Sequence, residues 1–220
     1  LQATKSVADD FIANRPSDRI GLVVYAGESY TQTPLTSDHK ILRNALDDLR
    51  YGLIQDGTAI GMGLATAVNR LKDSKAKSKV AILLTDGENN SGTVDPRTAA
   101  SLAQEFKVRV YTIGVGTKGT ARTPVARDTR GNFVYRSVPV NIDEELLEDI
   151  AKQTGGRYFR ATDNQKLEAI YTEIDALEKT KLQDLKFYTY DEKFGLFALL
   201  ALGLFFLERM LRYTWLKSFI

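Results

Sequence analysis

The stretch AILLTDGENN, Ala81 to Asn90, decides the fold. Four apolar residues climb into Thr85, Asp86 and Gly87, so an unalternating apolar run ends on a carboxylate and a turn. A run with no polar alternation suits a strand covered on both faces, as in a parallel sheet. In open parallel sheets, ligands bind in the crevice beyond the C-terminal strand ends. Asp86 stands at such an end.

Similar runs recur on either side. RIGLVVYAG (19–27) and VRVYTIGVG (108–116) predict two further buried strands. TAIGMGLATAVNRL, from Thr58, predicts a helix rich in small residues. SGTVDPRTAASLAQEF predicts a loop and a helix with Pro96 near its first position. Upstream, LQATKSVADDFIAN carries Leu1, Val7, Ala8, Phe11 and Ile12 at roughly helical spacing, and Asn14 to Asp18 break it with Pro16. ESYTQTPLTSD is a short strand and loop. Ser37 or Asp38 can cap a helix with an apolar face of Ile41, Leu42, Ala45 and Leu49. Downstream, a polar insertion runs from Thr117 to Val140, with a small hairpin around Gly131 and Asn132. Asn141 with Glu144 resembles a capping box opening DEELLEDIAKQTGG. RYFRA is a short strand, at an edge. The helix DNQKLEAIYTEIDALEKT puts Leu167, Ile170, Tyr171, Ile174 and Leu177 on one stripe. Strands alternating with helices at this spacing imply an α/β fold: a Rossmann-like, doubly wound, mostly parallel sheet with helices on both faces.

Composition supports one sizeable core and an appendage: 220 residues, 43% of them hydrophobic. The 30 basic and 28 acidic residues give a net charge of +2, no basis for a nucleic-acid surface. With no cysteine, thiolate catalysis, disulfides and cysteine zinc sites are excluded. His39 alone cannot build a histidine metal site and reads as a surface or capping residue of a helix's first turn.

The globular domain is expected over 1–180, followed by a membrane-proximal linker over 181–193, a transmembrane helix over 194–211 and a cytoplasmic tail over 212–220. The apolar run FGLFALLALGLFFL (194–207) spans roughly 21 Å as a helix, short of a hydrocarbon core of about 30 Å. Its flanks lengthen it. Tyr188 and Tyr190 precede it, Tyr213 and Trp215 follow, Met210 and Leu211 extend it, and Lys193 and Arg209 can snorkel. Arg209, Arg212 and Lys217 make the far side slightly more cationic, which places the globular domain outside the cytoplasm.

Three motifs invite a chemical reading. GVGTKG (114–119) matches a dinucleotide fingerprint, but no helix opens after it, so it is a glycine-rich strand exit. NNS (89–91) fits a glycosylation triplet that is short and common. The pair QDGTAIG and LLTDGENN is the third. Asp56, Gly57 and Thr58 have an ordinary explanation as a turn and a helix cap, and Asp86-Gly87 as a turn. Together, a Thr58 hydroxyl and an Asp86 carboxylate suit a hard divalent cation, which takes oxygen ligands. Two side chains cannot fill its coordination sphere.

At these residues the chain resembles the von Willebrand factor type A family, which carries a metal-ion-dependent adhesion site of D-x-S-x-S, a distant Thr and a distant Asp. Thr58 matches the middle element and Asp86 the last. Within that family, DRIGLVVYAG, PLTSDH, GTAIG, SKVAILLTDGENN, YTIGVG, IAKQTGGRYFRA and LEKT resemble the Bat-type (BatA-like) aerotolerance membrane proteins. The resemblance covers Leu1 to about Thr180 and implies a transmembrane helix after the domain. The D-x-S-x-S element does not occur in the chain, which starts within the helix that follows it in the family. The resemblance therefore implies a first, central strand upstream and a metal site incomplete here. It also implies Mg²⁺ (or Mn²⁺) held by Thr58 and Asp86, with Asp56, Gly57 and Gly87 shaping the supporting loops. The implied activity is capture of an acidic side chain of a partner, not catalysis. The implied partners are other Bat-type membrane proteins and a MoxR-type AAA+ ATPase, at a bacterial inner membrane with the domain in the periplasm. Two alternatives stand beside this: a structural membrane subunit without metal, and a metal-assisted hydrolase using Asp86, for which only Glu88 lies near as a base.

Overall fold

The structure is a computed structural model and describes residues 2–50, 52, 54–116, 119–127, 133–140, 142–184 and 194–214. The element order is α1 (Gln2–Ala13), β1 (Ile20–Tyr25), β2 (Ser29–Thr36), α2 (His39–Asp47), α3 (Ile60–Leu71), β3 (Lys79–Thr85), α4 (Pro96–Glu105) and β4 (Val108–Val115). It continues with β5 (Gly119–Arg127), β6 (Phe133–Val140), α5 (Glu144–Gln153), β7 (Tyr158–Ala161), α6 (Asn164–Asp184) and α7 (Phe194–Thr214). The chain divides into two units, Leu1–Leu182 and Gln183–Ile220.

In the first unit β3, β4 and β7 form a parallel sheet with β4 at its centre, register Thr85 to Gly114 and Gly114 to Arg160. One face is covered by α3, α4 and α5 through Ile60, Leu64, Ala99, Ala103, Leu147 and Ile150. The other is covered by α1 and α6, where Val7, Leu167, Tyr171 and Ile174 pack on Tyr111, Ile113 and Phe159. This is the doubly covered α/β arrangement expected from the unalternating runs, with Val110, Tyr111 and Ile113 of β4 all buried.

The sheet is less continuous than expected. β1 pairs only with β2, antiparallel, and β3 pairs only with β4. Both facing edges are unpaired among the described residues, although Tyr25 of β1 packs with Ala81 and Leu83 in the same core. β1 is accordingly half-buried rather than buried, because it lacks a second partner strand.

Several local expectations need correction. α2 turns Leu42 and Leu46 inward while Ile41 is 56% exposed, since packing against Ile12 and Leu22 selects a face one residue round from the predicted one. Asp38 caps α2, accepting from the Lys40 and Ile41 N–H groups. α5 is capped by Asp143, whose carboxylate accepts the Leu146 N–H at 2.9 Å, in place of the expected Asn141, which lies outside the described residues. The hairpin is longer than predicted, and its expected turn at Gly131 and Asn132 lies outside the described residues. His39 Nε2 sits 2.9 Å from the Asp18 carbonyl oxygen and ties α2 to the loop before β1.

α6 starts where β7 ends, at the C-terminal edge of the sheet, and runs back to the N-terminal edge. Near its end Glu178 is 4% exposed. Its carboxylate pairs with Arg109, accepts the Tyr111 hydroxyl at 2.6 Å and accepts the Ser78 hydroxyl at 2.9 Å. A buried carboxylate is tolerated only with such partners. Although burial opposes its ionisation, the hydrogen bonds from Tyr111, Arg109 and Ser78 hold it below the ordinary 4.5.

A helix stands where the membrane helix was expected, and it is longer: α7 has 21 residues. Among the described residues, no helix is long and apolar enough to cross a membrane. The described side chains of α7 stop short of its ends, and its last turns carry Glu208, Arg209 and Arg212. The expected linker residues 185–193 and tail residues 215–220 lie outside the described residues.

Candidate functional site

Two loops meet at the C-terminal edge of the sheet: 55–59, which leads into α3, and 86–91, which leaves β3. The sequence explains Thr58 as a helix cap, and the structure does not. The N-cap of α3 is Ala59, with no capping side chain of its own. The cap comes from the other loop: Asn89 Oδ1 accepts the Ile60 N–H at 2.9 Å. Beside it, Asn90 Oδ1 accepts the Thr58 N–H at 2.8 Å and the Ser91 hydroxyl at 2.9 Å, and the Asn90 N–H donates to the Thr58 carbonyl at 3.1 Å. The two asparagines staple the loops together. Sequence reasoning passed over them as a glycosylation triplet; the only signal was two adjacent amides after a strand-ending turn.

The Asp86 carboxylate is also not needed by its turn. Thr85 holds that turn, its Oγ1 accepting the Gly87 N–H at 3.2 Å and donating to the Gly87 carbonyl at 3.0 Å. Thr85 is buried and Asp86 exposed. Thr58 is half-buried, its Oγ1 next to Gly87: a Cβ added there would stand 3.3 Å from it. Gly57 sits at φ 146°, where an added Cβ would come within 3.0 Å of the Gly27 Cα. Backbone of that conformation belongs to glycine. The 55–59 loop is further fixed on β1, the Gly27 N–H donating to Gln55 O at 2.8 Å and the Ala59 N–H to Ala26 O at 2.7 Å.

Tyr25 lies beneath this edge, its hydroxyl donating to the Leu84 carbonyl oxygen. Burial pushes its ionisation well above the ordinary range, and the Asp86 charge adds to that against the hydrogen bond with Thr85. The tyrosine thus remains a neutral donor beside a carboxylate. Asp56 is exposed in the same loop. No group of three or more His, Cys, Asp or Glu able to hold a metal occurs among the described residues.

The doubly covered parallel sheet on which these loops stand matches a known domain type. The von Willebrand factor type A (vWA) family profile matches residues 1–173. The chain belongs to the von Willebrand factor type A domain family. Its vWA domain is 31% identical over 188 residues to a UPF0353 protein of Mycolicibacterium paratuberculosis, covering 80% of this chain and 53% of that protein. The chain spans about half the length of the curated relatives it matches. Among solved structures, the vWA domain resembles BatB of Bacteroides thetaiotaomicron, with 29% identity, a TM-score of 0.64, and coverage of 81% of this chain and 88% of that one. It also resembles an aerotolerance-related membrane protein of Bacteroides fragilis, with 26% identity, a TM-score of 0.63, and coverage of 80% and 86%. A proximal thread matrix protein of the mussel byssus, 25% identical with a TM-score of 0.61 over 80% of this chain and 40% of that one, has a zinc-occupied metal-ion-dependent adhesion site.

Proposed function

We propose that this vWA domain is a membrane-anchored protein-interaction module that binds a partner's acidic side chain through a divalent cation. One observation carries the reading. At the ligand-binding edge, Asn89 caps α3 and Thr85 holds the turn, so among the described residues neither the Thr58 hydroxyl nor the Asp86 carboxylate is taken up by a hydrogen bond. Both are hard oxygen donors, which favours Mg²⁺ or Mn²⁺ over a cation preferring nitrogen or sulfur. They fit as two ligands of a site that needs more. The remaining oxygens belong to a strand between β1 and β3, whose facing edges are unpaired among the described residues. An upstream segment bearing D-x-S-x-S is the natural occupant. Bound there, the cation supplies an open position for a partner carboxylate. Thr58 and Asp86 hold it directly or through water, and Asp56, Gly57 and Gly87 shape the loops around it.

The anchor is α7. Its uncharged part, 194–207, rises about 21 Å, and on this proposal Met210 and Leu211 extend it towards a hydrocarbon core of about 30 Å while Arg209 snorkels. Leu199, Leu200, Leu202, Leu204 and Phe205 are exposed around the helix, so the part before Glu208 has no side suited to water. On this reading the domain lies in the periplasm of a bacterial inner membrane, with other Bat-type membrane proteins and a MoxR-type AAA+ ATPase as partners; the excess of Arg209, Arg212 and Lys217 over Glu208 supports the orientation.

Calorimetric titration of Mg²⁺ into the protein extended upstream tests the site. Wild type binds, and Asp86→Ala and Thr58→Val each weaken binding at least tenfold. Binding unchanged in both variants refutes the metal and leaves a structural subunit. Turnover of ester or phosphate substrates that is lost with Asp86 would mark an enzyme instead.

A further inference from the structure

The chain holds two methionines and no cysteine, so Met62 and Met210 carry its only sulfur. Met62 stands in the first turn of α3, a turn with little room to shift. A Cβ added at Gly61 would come within 2.8 Å of the Pro96 nitrogen, and one added at Gly63 within 2.8 Å of the Tyr25 ring. Packing this close transmits strain rather than absorbing it.

Between these two glycines, the Met62 thioether carries the loop that leaves β3. A Cβ added at Gly92 would stand 3.0 Å from Met62 Cγ and 3.2 Å from Sδ. The Thr93 hydroxyl donates to that sulfur at 4.0 Å. A few residues earlier, Asn89 accepts the Ile60 N–H and Asn90 accepts the Thr58 N–H. The segment 89–93 is therefore fastened to the start of α3 at both ends, by two side-chain amides at one and by the thioether at the other. Met62 is half-buried, whereas Gly92 and Thr93 against it are exposed. The cover over the sulfur is a single turn in water.

We propose that Met62 is a modification site: a peroxide oxidises its thioether to the sulfoxide, and this releases the 89–93 loop from α3. The sulfur lone pair attacks one peroxide oxygen. The S–O bond forms as the O–O bond breaks, and two electrons pass from sulfur to peroxide. The departing hydroxide takes the proton of the transferred hydroxyl and leaves as water. The product replaces a soft apolar group by a polar, bulkier and chiral one. Its oxygen needs space that Gly92 and Thr93 occupy, and the clamped start of α3 does not supply it. The exposed loop yields instead, and Asn89 and Asn90 let go of the Ile60 and Thr58 N–H groups. Methionine sulfoxide reductases return the thioether, so the change is reversible. The strand-end edge thus answers to oxidant without a cysteine. The inference does not rest on the metal site.

The test treats the full chain, in nonionic detergent with EDTA, with hydrogen peroxide. Peptide mass mapping follows the sulfur, and amide hydrogen exchange follows Thr58 and Ile60. Met62 gains one oxygen in the folded chain at no less than about a tenth of its rate in urea. Exchange of the two amides then rises about tenfold. It tracks the oxidised fraction of Met62, not that of Met210, which is 67% exposed and serves as the internal comparison. Methionine sulfoxide reductases A and B with a thiol slow it again. Met210→Leu responds as wild type does, and Met62→Leu, which keeps the volume, does not respond. The tracking in wild type decides the matter even where Met62→Leu folds poorly. Met62 protected in the folded chain, exchange unchanged once Met62 is oxidised, or an equal response in Met62→Leu overturns the proposal. With EDTA present throughout, loss of the metal reading leaves this result standing.

Discussion

Removing the Glu178 carboxylate tests how the domain holds its last helix. Glu178→Ala leaves the Tyr111 hydroxyl, on a residue 1% exposed, and the Arg109 guanidinium, 25% exposed, without their shared acceptor. Deleting one partner of a buried ion pair costs about 3–5 kcal/mol. Water reaching Arg109 moves the expectation to the lower end, about 3 kcal/mol. For a domain of this size that is a fall of roughly 6–12 °C in Tm. Urea unfolding followed by far-UV circular dichroism measures it. The triple variant Glu178→Leu, Arg109→Met, Tyr111→Phe removes the ion pair and the buried phenol together, leaving only the half-buried Ser78 hydroxyl, and stays within about 1 kcal/mol of wild type. A loss below about 1 kcal/mol in the single variant, or a triple variant as unstable as the single one, refutes the network. Acid provides a second readout. The folded-state carboxyl titrates below the ordinary 4.5, so its contribution is present above that pH and is lost as pH falls through the folded value. Glu178→Ala removes that part of the acid transition.

Three further outcomes follow from the site and the core. Asn89→Ala removes the borrowed cap of α3 and costs about 1 kcal/mol in urea, whereas Asn89→Asp, which keeps an acceptor, recovers most of it. Gly57→Ala forces a Cβ at φ 146° and costs about 1–3 kcal/mol, with the larger effect on Mg²⁺ affinity in calorimetry. Tyr111 is pushed up to about 12, chiefly by burial and then by Glu178. The folded state therefore keeps a proton that the unfolded state releases, and stability present below pH 10 is lost between 10 and 12. Tyr111→Phe removes this alkaline loss in a pH series of melts.

The parts of the fold written in periodicity were legible. Residues 81–84 and 108–115 announce buried parallel strands because both faces of each are covered, and Leu167, Ile170, Tyr171 and Ile174 announce the buried face of α6. Choices settled by tertiary packing were not. Ile41 and Leu46 fit a helical stripe about equally well, and contact with Ile12 and Leu22 decides between them. Thr58 and Asp86 could be named from sequence, because their residue types and strand-end position imply chemistry. Their release from turn and cap duties could not, because it depends on Asn89 and Thr85 reaching backbone in or beyond their own loop. Glu178 was hidden for a similar reason: a glutamate near a helix end signals solvent until Arg109, Tyr111 and Ser78 are brought beneath it.

That carboxylate also determines how α6 responds to force. Glu178 lies towards the C-terminal end of the helix, whereas Leu167 and Ile170 lie near its start. Tension on the C-terminal end reaches the three acceptor contacts first, and the apolar stripe is shielded while they hold. The helix peels from that end only after the carboxylate lets go. Protonating Glu178 removes the same restraint without any pull, so acid and mechanical load act on one group, and each lowers the amount of the other needed to free the helix.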